Sequence, residues 1–308
     1  MNNLNKSIST RTGAVKLALA VVISLIILKV LVSIISKSIS ISAQAADSLL
    51  DLFSIGITFV AIRMSVAPAD NEHPFGHGKM EGFAALIQAL LVLGAGGFII
   101  YSAIQRILHS TPIEPNEGMV VMVISIIASF FLSRHLQKVA KSTGSLAIEA
   151  SARNISADVY SAAGVLIGLL VVRLTNLVIL DPIIALIMAG FVLKAGFAVS
   201  RDAFNELTDY QLPTAEQDLI KKCIQEHNTQ LVNFHSMRSR RSGNKRFVDL
   251  HLVMPRNLSV EESHQMCDHL EKDITDRLTN TDVDIHVEPC SGIDCSHCLI
   301  TNCSLRHL

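Results

Sequence analysis

Tryptophan is absent from this chain, aromatic residues make up only 5% of it and charged residues only 17%. A soluble domain carries about a quarter of its residues as charges, so the shortage of charge excludes an ordinary soluble enzyme of this length. The net charge is −1 and no basic block is long enough to track phosphates, which excludes a nucleic-acid binder. Without tryptophan the usual interfacial aromatic belt is thin, so any membrane orientation must come from Lys and Arg. No His-Glu-x-x-His run exists and no nucleophile accompanies the carboxylates of the apolar stretches, which argues against a metalloprotease or other metalloenzyme, and a non-enzyme is expected. No small-residue cleavage site follows the first apolar run, which is therefore expected to be a retained span and not a signal peptide.

What is present is hydrophobic: half of 308 residues. Six stretches, roughly 13–36, 39–66, 81–108, 118–139, 145–173 and 178–200, are long enough to cross a bilayer as helices of about 20 residues. After Arg201 charges become frequent and apolar runs shorten. The expected division is a six-helix membrane domain over 1–203, a soluble domain over 204–290 and a Cys-rich tail over 291–308. Lys6, Arg11, Arg63, Lys79, Arg134, Lys138, Lys141 and Arg201 fall on one side of this arrangement, against Lys37, Arg106 and Arg173 on the other. The positive-inside rule then places both termini and the soluble domain in the cytoplasm.

Within the apolar stretches, Asp47 and Asp51 in the second and Asn154 and Asp158 in the fifth are each spaced i, i+4 and share a helix face. A carboxylate at mid-bilayer costs roughly 2.5–3.5 kcal/mol even on the lenient insertion scale. If the two helices pack side by side, three carboxylates and one amide oxygen converge into a cage suited to a divalent cation. Without metal at least one carboxylate should hold a proton, so metal binding would displace protons. Gly56, Ser156, Ser161, Gly164 and Gly168 are expected to let these helices approach closely. Glu149 and Arg153, also i, i+4, are expected to form a helix-stabilising ion pair.

The soluble segment alternates helical and strand periodicity: helix 214–227, strands 232–240 and 246–254 around Ser242-Gly243-Asn244, helix 259–279 and strand 282–288. The order α-β-β-α-β predicts an α+β sandwich with one sheet face covered by two helices. In the tail, Cys290, Cys295, Cys298 and Cys303 follow C-x4-C-x2-C-x4-C beside His297 and His307. A reducing cytoplasm disfavours disulfides there and makes a soft-metal site an open alternative to incidental thiols. Cys223 and Cys267 fall in predicted helices and are expected in the core.

Together, Asp47-x3-Asp51, the run Asp70-Asn71-Glu72-His73-Pro74-Phe75-Gly76-His77-Gly78-Lys79, the pair ending in Asp158 and the α-β-β-α-β domain resemble the cation diffusion facilitators, most nearly their bacterial ferrous-iron and zinc efflux branch. The likeness runs from about residue 13 to Cys290. It implies a metallochaperone-like (ferredoxin-like) cytoplasmic domain and a homodimeric antiporter of the bacterial inner membrane, exporting a divalent metal (Zn2+, Fe2+, Mn2+ or Cd2+) in exchange for protons by alternating access. A membrane-anchored metal sensor or scaffold is the alternative.

By the same resemblance, Asp47, Asp51, Asn154 and Asp158 form the transport site, and Asp70, His73 and His77 a loop metal site. His235, His251, His264, His286 and Glu288 would hold metals between dimer partners, and Lys79 would pair with Asp209 near the membrane surface. The chain departs from its zinc-carrying relatives at Asn154, where they resemble one another in placing His or Asp. An all-oxygen set leans toward manganese or ferrous iron without excluding zinc.

Overall fold

The structure, a computed structural model, describes residues 10–36, 39–109, 119–175, 177, 179–228 and 230–291. It divides into two units, Met1–Asn205 and Glu206–Leu308.

The first unit consists of six long helices: α1 (Arg11–Ser36), α2 (Ile39–Ser65), α3 (Met80–His109), α4 (Met119–Thr143), α5 (Leu146–Thr175) and α6 (Leu180–Leu207). Their lengths of 25 to 30 residues correspond to about 37–45 Å, enough for a bilayer core of about 30 Å. Among the described residues, α1, α3 and α6 are apolar enough to cross a membrane by length and composition. The sequence pattern led to six such stretches. Polar side chains such as Ser48, Asp51, Ser54 and Thr58 lie on α2, and Glu149, Arg153 and Asp158 on α5.

Ala14, Val15, Ala18, Ile55, Ile62, Leu136, Ile148 and Ile155 pack α1, α2, α4 and α5 into one core. Ala85, Ala89, Ala150, Val199 and Ala203 join α3, α5 and α6 along a seam of small side chains. A methyl group added at Gly164 would lie 2.5 Å from Met188 Cγ, and one at Gly96 would lie 2.7 Å from Leu193 Cδ2. Glycine is therefore what lets α5 and α3 approach α6. Nothing lies within 4 Å of a methyl added at Gly56. The large side chains Ile27, Phe98, Leu108, Phe131 and Leu174 face outward, as lipid contact requires.

Buried polar groups tie the helices together. Thr58 of α2, Gln88 of α3 and Ser151 of α5 form a closed hydrogen-bonded triangle, with Thr58 Oγ1 2.7 Å from Ser151 Oγ and Ser151 Oγ donating to Gln88 Oε1 at 3.1 Å. Glu81, at the start of α3, is fully buried. Its carboxylate accepts from Arg11 Nη1 at 2.5 Å, from Ser65 Oγ at 2.9 Å and from Ser145 Oγ. One carboxylate thus joins the start of α1, the end of α2, the start of α3 and the residue before α5.

The second unit follows the predicted order: α7 (Thr214–Gln225), β1 (Asn233–Ser242), β2 (Lys245–Met254), α8 (Val260–Arg277) and β3 (Thr281–Pro289). The sheet order is β1-β2-β3, with β1 antiparallel and β3 parallel to β2. Gly243 at φ 62° opens the two-residue hairpin, the position where that turn needs glycine. A reciprocal Ser259–Glu262 capping box starts α8. Ile220 and Ile224 of α7, Leu270 and Ile274 of α8, and Val248, Leu250 and Leu252 of β2 form the core, so both helices cover one face of the sheet. Cys223 and Cys267 lie in this core, and burial pushes both thiols up from their ordinary pKa.

Removing the Glu81 carboxylate leaves a guanidinium and two hydroxyls without their partner, so Glu81→Ala should lower stability by about 3–5 kcal/mol. Thermal unfolding of the detergent-solubilised protein checks this, with Glu81→Gln, which keeps the hydrogen bonds but not the charge, expected to fall between.

Candidate metal centres

The α2 and α5 carboxylates meet at a cavity of about 70 Å³. Asp51 and Ser48 line it from α2, Asp158 and Ile155 from α5, Ser125 and Ser129 from α4, and Lys29 from α1. Lys29 Nζ donates to Ser48 Oγ at 2.6 Å. The Ser125 hydroxyl is buried without a hydrogen-bond partner, an arrangement that a bound ion or its water would satisfy. Asn154 is half-buried one turn before Asp158 and is not among the described residues lining the cavity. Asp47 lies on α2 one turn before Asp51, and its side chain falls outside the described atoms. The structure therefore brings together Asp51 and Asp158, and adds a lysine that the sequence reading overlooked. A lone Lys inside an apolar run was the available signal, because such a charge is as costly in a bilayer as a carboxylate. The Glu149–Arg153 pair is present at 2.6 Å, with Asp202 of α6 3.8 Å from the same guanidinium.

In the connection between α2 and α3, Asp70 Oδ1 accepts from the backbone N–H of His73 at 2.6 Å and of Glu72 at 3.0 Å. These bonds, the His73 one foremost, hold its carboxyl below the usual range. His73 Nδ1 lies 3.3 Å from Oδ1, His77 Nε2 lies 3.5 Å from Oδ2, and the two rings are 4.4 Å apart. The three side chains thus offer two nitrogens and a carboxylate to one point, with all ligand atoms within 4.8 Å. His77 Nδ1 is buried without a partner. Two imidazoles and a carboxylate suit a zinc-class ion, with water as the fourth ligand.

The third cluster follows from strand register. His235 on β1 stands opposite His251 on β2, which is paired with His286 on β3. Side chains alternate along a strand, so with Leu250, Leu252, Ile285 and Val287 in the helix-covered core, His251, His286 and Glu288 point to the open face. His251 Nδ1 donates to Glu288 Oε1 at 2.8 Å, His235 Nε2 lies 3.4 Å from Oε2, and His286 Nε2 lies 3.9 Å from Oε1. The hydrogen bond from His251, together with the charge of the neighbouring histidines, holds the Glu288 carboxyl low. A divalent ion would take the place of the shared proton. His235, His251 and Glu288 converge within 4.8 Å, with His286 at their edge. His264 is not gathered with them: it is largely exposed on α8, 3.8 Å from Asp268.

Asp209 lies at φ 57° just after α6, 3.4 Å from Arg240 Nη1, and Lys79 immediately precedes α3 in the first unit. Cys290 is buried, and Cys295, Cys298 and Cys303 lie outside the described residues.

Residues 15–208 match the family profile of the cation efflux transmembrane domain, and residues 212–290 match the cytoplasmic domain of cation efflux proteins. The chain belongs to the cation diffusion facilitator family. An uncharacterized transporter of Synechocystis sp. is 30% identical over 83% of both chains. The cation-efflux pump FieF of Pectobacterium carotovorum is 32% identical over 90% of this chain and 92% of that one. A solved structure of the zinc form of CzrB, a putative zinc transporter, is 34% identical and covers 26% of this chain and 92% of its own, with a TM-score of 0.26. This cation diffusion facilitator accordingly consists of a transmembrane efflux domain and a cytoplasmic α+β domain.

Replacing His251 with Gln removes the ring at the centre of the open-face row, so the rise in unfolding temperature produced by zinc should shrink, reflecting roughly 10- to 100-fold weaker binding at that cluster. Calorimetry of the full chain with and without zinc measures it.

Proposed function

We propose that this cation efflux protein exports a divalent metal of the zinc, iron or manganese class from the cytoplasm in exchange for protons. It works as a homodimer, with all six helices of the first unit crossing a bacterial inner membrane and both termini in the cytoplasm. The observation that carries this reading is the cavity shared by Asp51 and Asp158, contributed by two different helices.

Two carboxylates beside one small cavity repel each other strongly in a low dielectric, so they bind a cation or share a proton. Metal arriving from the cytoplasm releases what they held. Protons returning from outside reset the site, and each charge crossing 100 mV supplies about 2.3 kcal/mol. Asp47 and Asn154, each one helical turn from an acidic partner, complete the proposed ligand set. Oxygen donors accept manganese and ferrous iron and still bind zinc more tightly, so the proposed substrate class is broad.

Lys29 gives the exchange its third participant. Its ammonium lies in the cavity wall with both carboxylates and neutralises them in part when no metal is bound. A divalent ion must overcome that positive charge to bind, and the same charge helps expel it.

Purified protein in liposomes with an imposed pH gradient should accumulate at least one of zinc, iron, manganese and cadmium, and Asp51→Ala and Asp158→Ala should each reduce the rate strongly, because each removes an ionisable group of the cavity. Uptake of none of these metals overturns the reading and leaves the membrane-anchored sensor, and undiminished uptake by both variants overturns transport through the Asp51–Asp158 cavity. Lys29→Met should bind metal about tenfold more tightly, a change of about 1.4 kcal/mol, and turn over more slowly. Lys29→Arg, which keeps the charge, should behave as the native protein in the same binding and flux measurements.

A further inference from the structure

The cytoplasmic unit holds a second group of metal-ligating side chains, on its helix layer and not on the open sheet face. His227 lies in the turn after α7, and His269 and Asp273 sit one turn apart on α8. His227 Nε2 is 3.3 Å from Asp273 Oδ2, and His269 Nε2 is 3.7 Å from the same oxygen. The two rings are 5.1 Å apart at an interplanar angle of 76°. One ligand atom from each residue lies within 4.8 Å of the others.

Three features go beyond a chance meeting of surface histidines. The first is the tautomer. His227 Nδ1 lies 3.0 Å from the Cys223 carbonyl oxygen, which can only accept, so the ring proton is on Nδ1. In the neutral ring Nε2 then presents a lone pair to the Asp273 carboxylate, acceptor against acceptor, so either a second ring proton or a metal ion must lie between them. A backbone carbonyl fixing the far nitrogen is also the usual support of a metal-binding histidine.

The second feature is spacing. A tetrahedral zinc with bonds of about 2.0–2.1 Å sets its ligand atoms about 3.3–3.4 Å apart. The His227–Asp273 separation has that value, and the His269–Asp273 separation exceeds it by a few tenths of an ångström. The third is burial. The His227 side chain is only 11% exposed and Asp273 29%, whereas His269 at 58% closes the site from the solvent side. The carbonyls at the end of α7 add a favourable field for a cation.

We infer that His227, His269 and Asp273 form a further binding site for a zinc-class divalent ion, completed by water, which clamps the end of α7 to α8. The Glu226–Arg277 ion pair, at 2.5 Å, already joins the same two elements, so the bound ion adds to a contact that exists without it. The helices pack against the sheet face opposite the His235–His251–Glu288 cluster, so the two sites bind independently within one domain. This inference does not depend on transport, since occupancy alone tests it.

The experiment is equilibrium dialysis of the purified full chain against zinc, with metal counted per chain, comparing the native protein with His269→Gln, His227→Gln and His251→Gln. His269 is exposed enough that its replacement should leave the fold intact, which the unfolding temperature in chelator verifies. Each of His269→Gln and His227→Gln should lose one zinc per chain at a free zinc level that saturates the native protein. The His269→Gln, His251→Gln double variant should lose the sum of the two single losses. Unchanged stoichiometry in His269→Gln overturns the site and leaves a protonated His227 paired with Asp273. A double variant that loses no more than His251→Gln alone overturns it as well.

Discussion

Negative charge inside a low-dielectric bundle has to be met by something positive or by well-placed donors, and the transmembrane unit is organised around that requirement. Glu81 meets it permanently, with Arg11 and two hydroxyls gathered around one buried carboxylate. Asp51 and Asp158 meet it differently, beside a cavity whose wall also carries Lys29. The first arrangement locks the ends of the helices. The second leaves room for an ion, and a site that can exchange one positive partner for another is what a proton-coupled carrier needs.

The division of labour among helices follows from this. The described lining of the cavity comes from α1, α2, α4 and α5, and none of it from α3 or α6. Gly96 and Gly164 let α3 and α5 approach side chains of α6. In the proposed cycle α1 supplies the fixed charge while α2 and α5 supply the carboxylates, so a shift of either pair against α1 changes the charge balance at the site. The cytoplasmic unit uses the opposite strategy. On the open sheet face His235, His251 and Glu288 lie at half-exposed positions where water relieves them, which suits a site that fills and empties with the metal level.

Much of this was legible in the residue pattern, and the limits have physical causes. The acidic pairs stood out because a bilayer makes their cost large, and the α-β-β-α-β order stood out because strand and helix periods differ. Cys223 and Cys267 were placed in the core by their helical positions, and they are there. Lys29 escaped notice because a single lysine in an apolar run carries no spacing partner. Asn154 carried the reading of metal preference, yet the described lining at that level of α5 is Ile155 and Asp158. Adjacent helix positions point about 100° apart, so the rotation of α5 decides that, and no one-dimensional pattern records it.

Composition and periodicity by themselves determined the class of protein: a helical membrane domain with charged residues it cannot afford to bury idly, followed by a small α+β domain. These are local properties, set by each segment's hydropathy and side-chain alternation. Only the tertiary structure decided which side chains meet. Strand register aligned His235, His251 and His286 in one row and left His264 outside it. Packing of α7 against α8 brought His227 to His269 and Asp273 across more than forty positions of sequence, and packing of α1 against α2 brought Lys29 to Ser48. Such meetings depend on the rotation and offset of whole elements, quantities summed over many weak contacts, and so they appear only when the chain is folded.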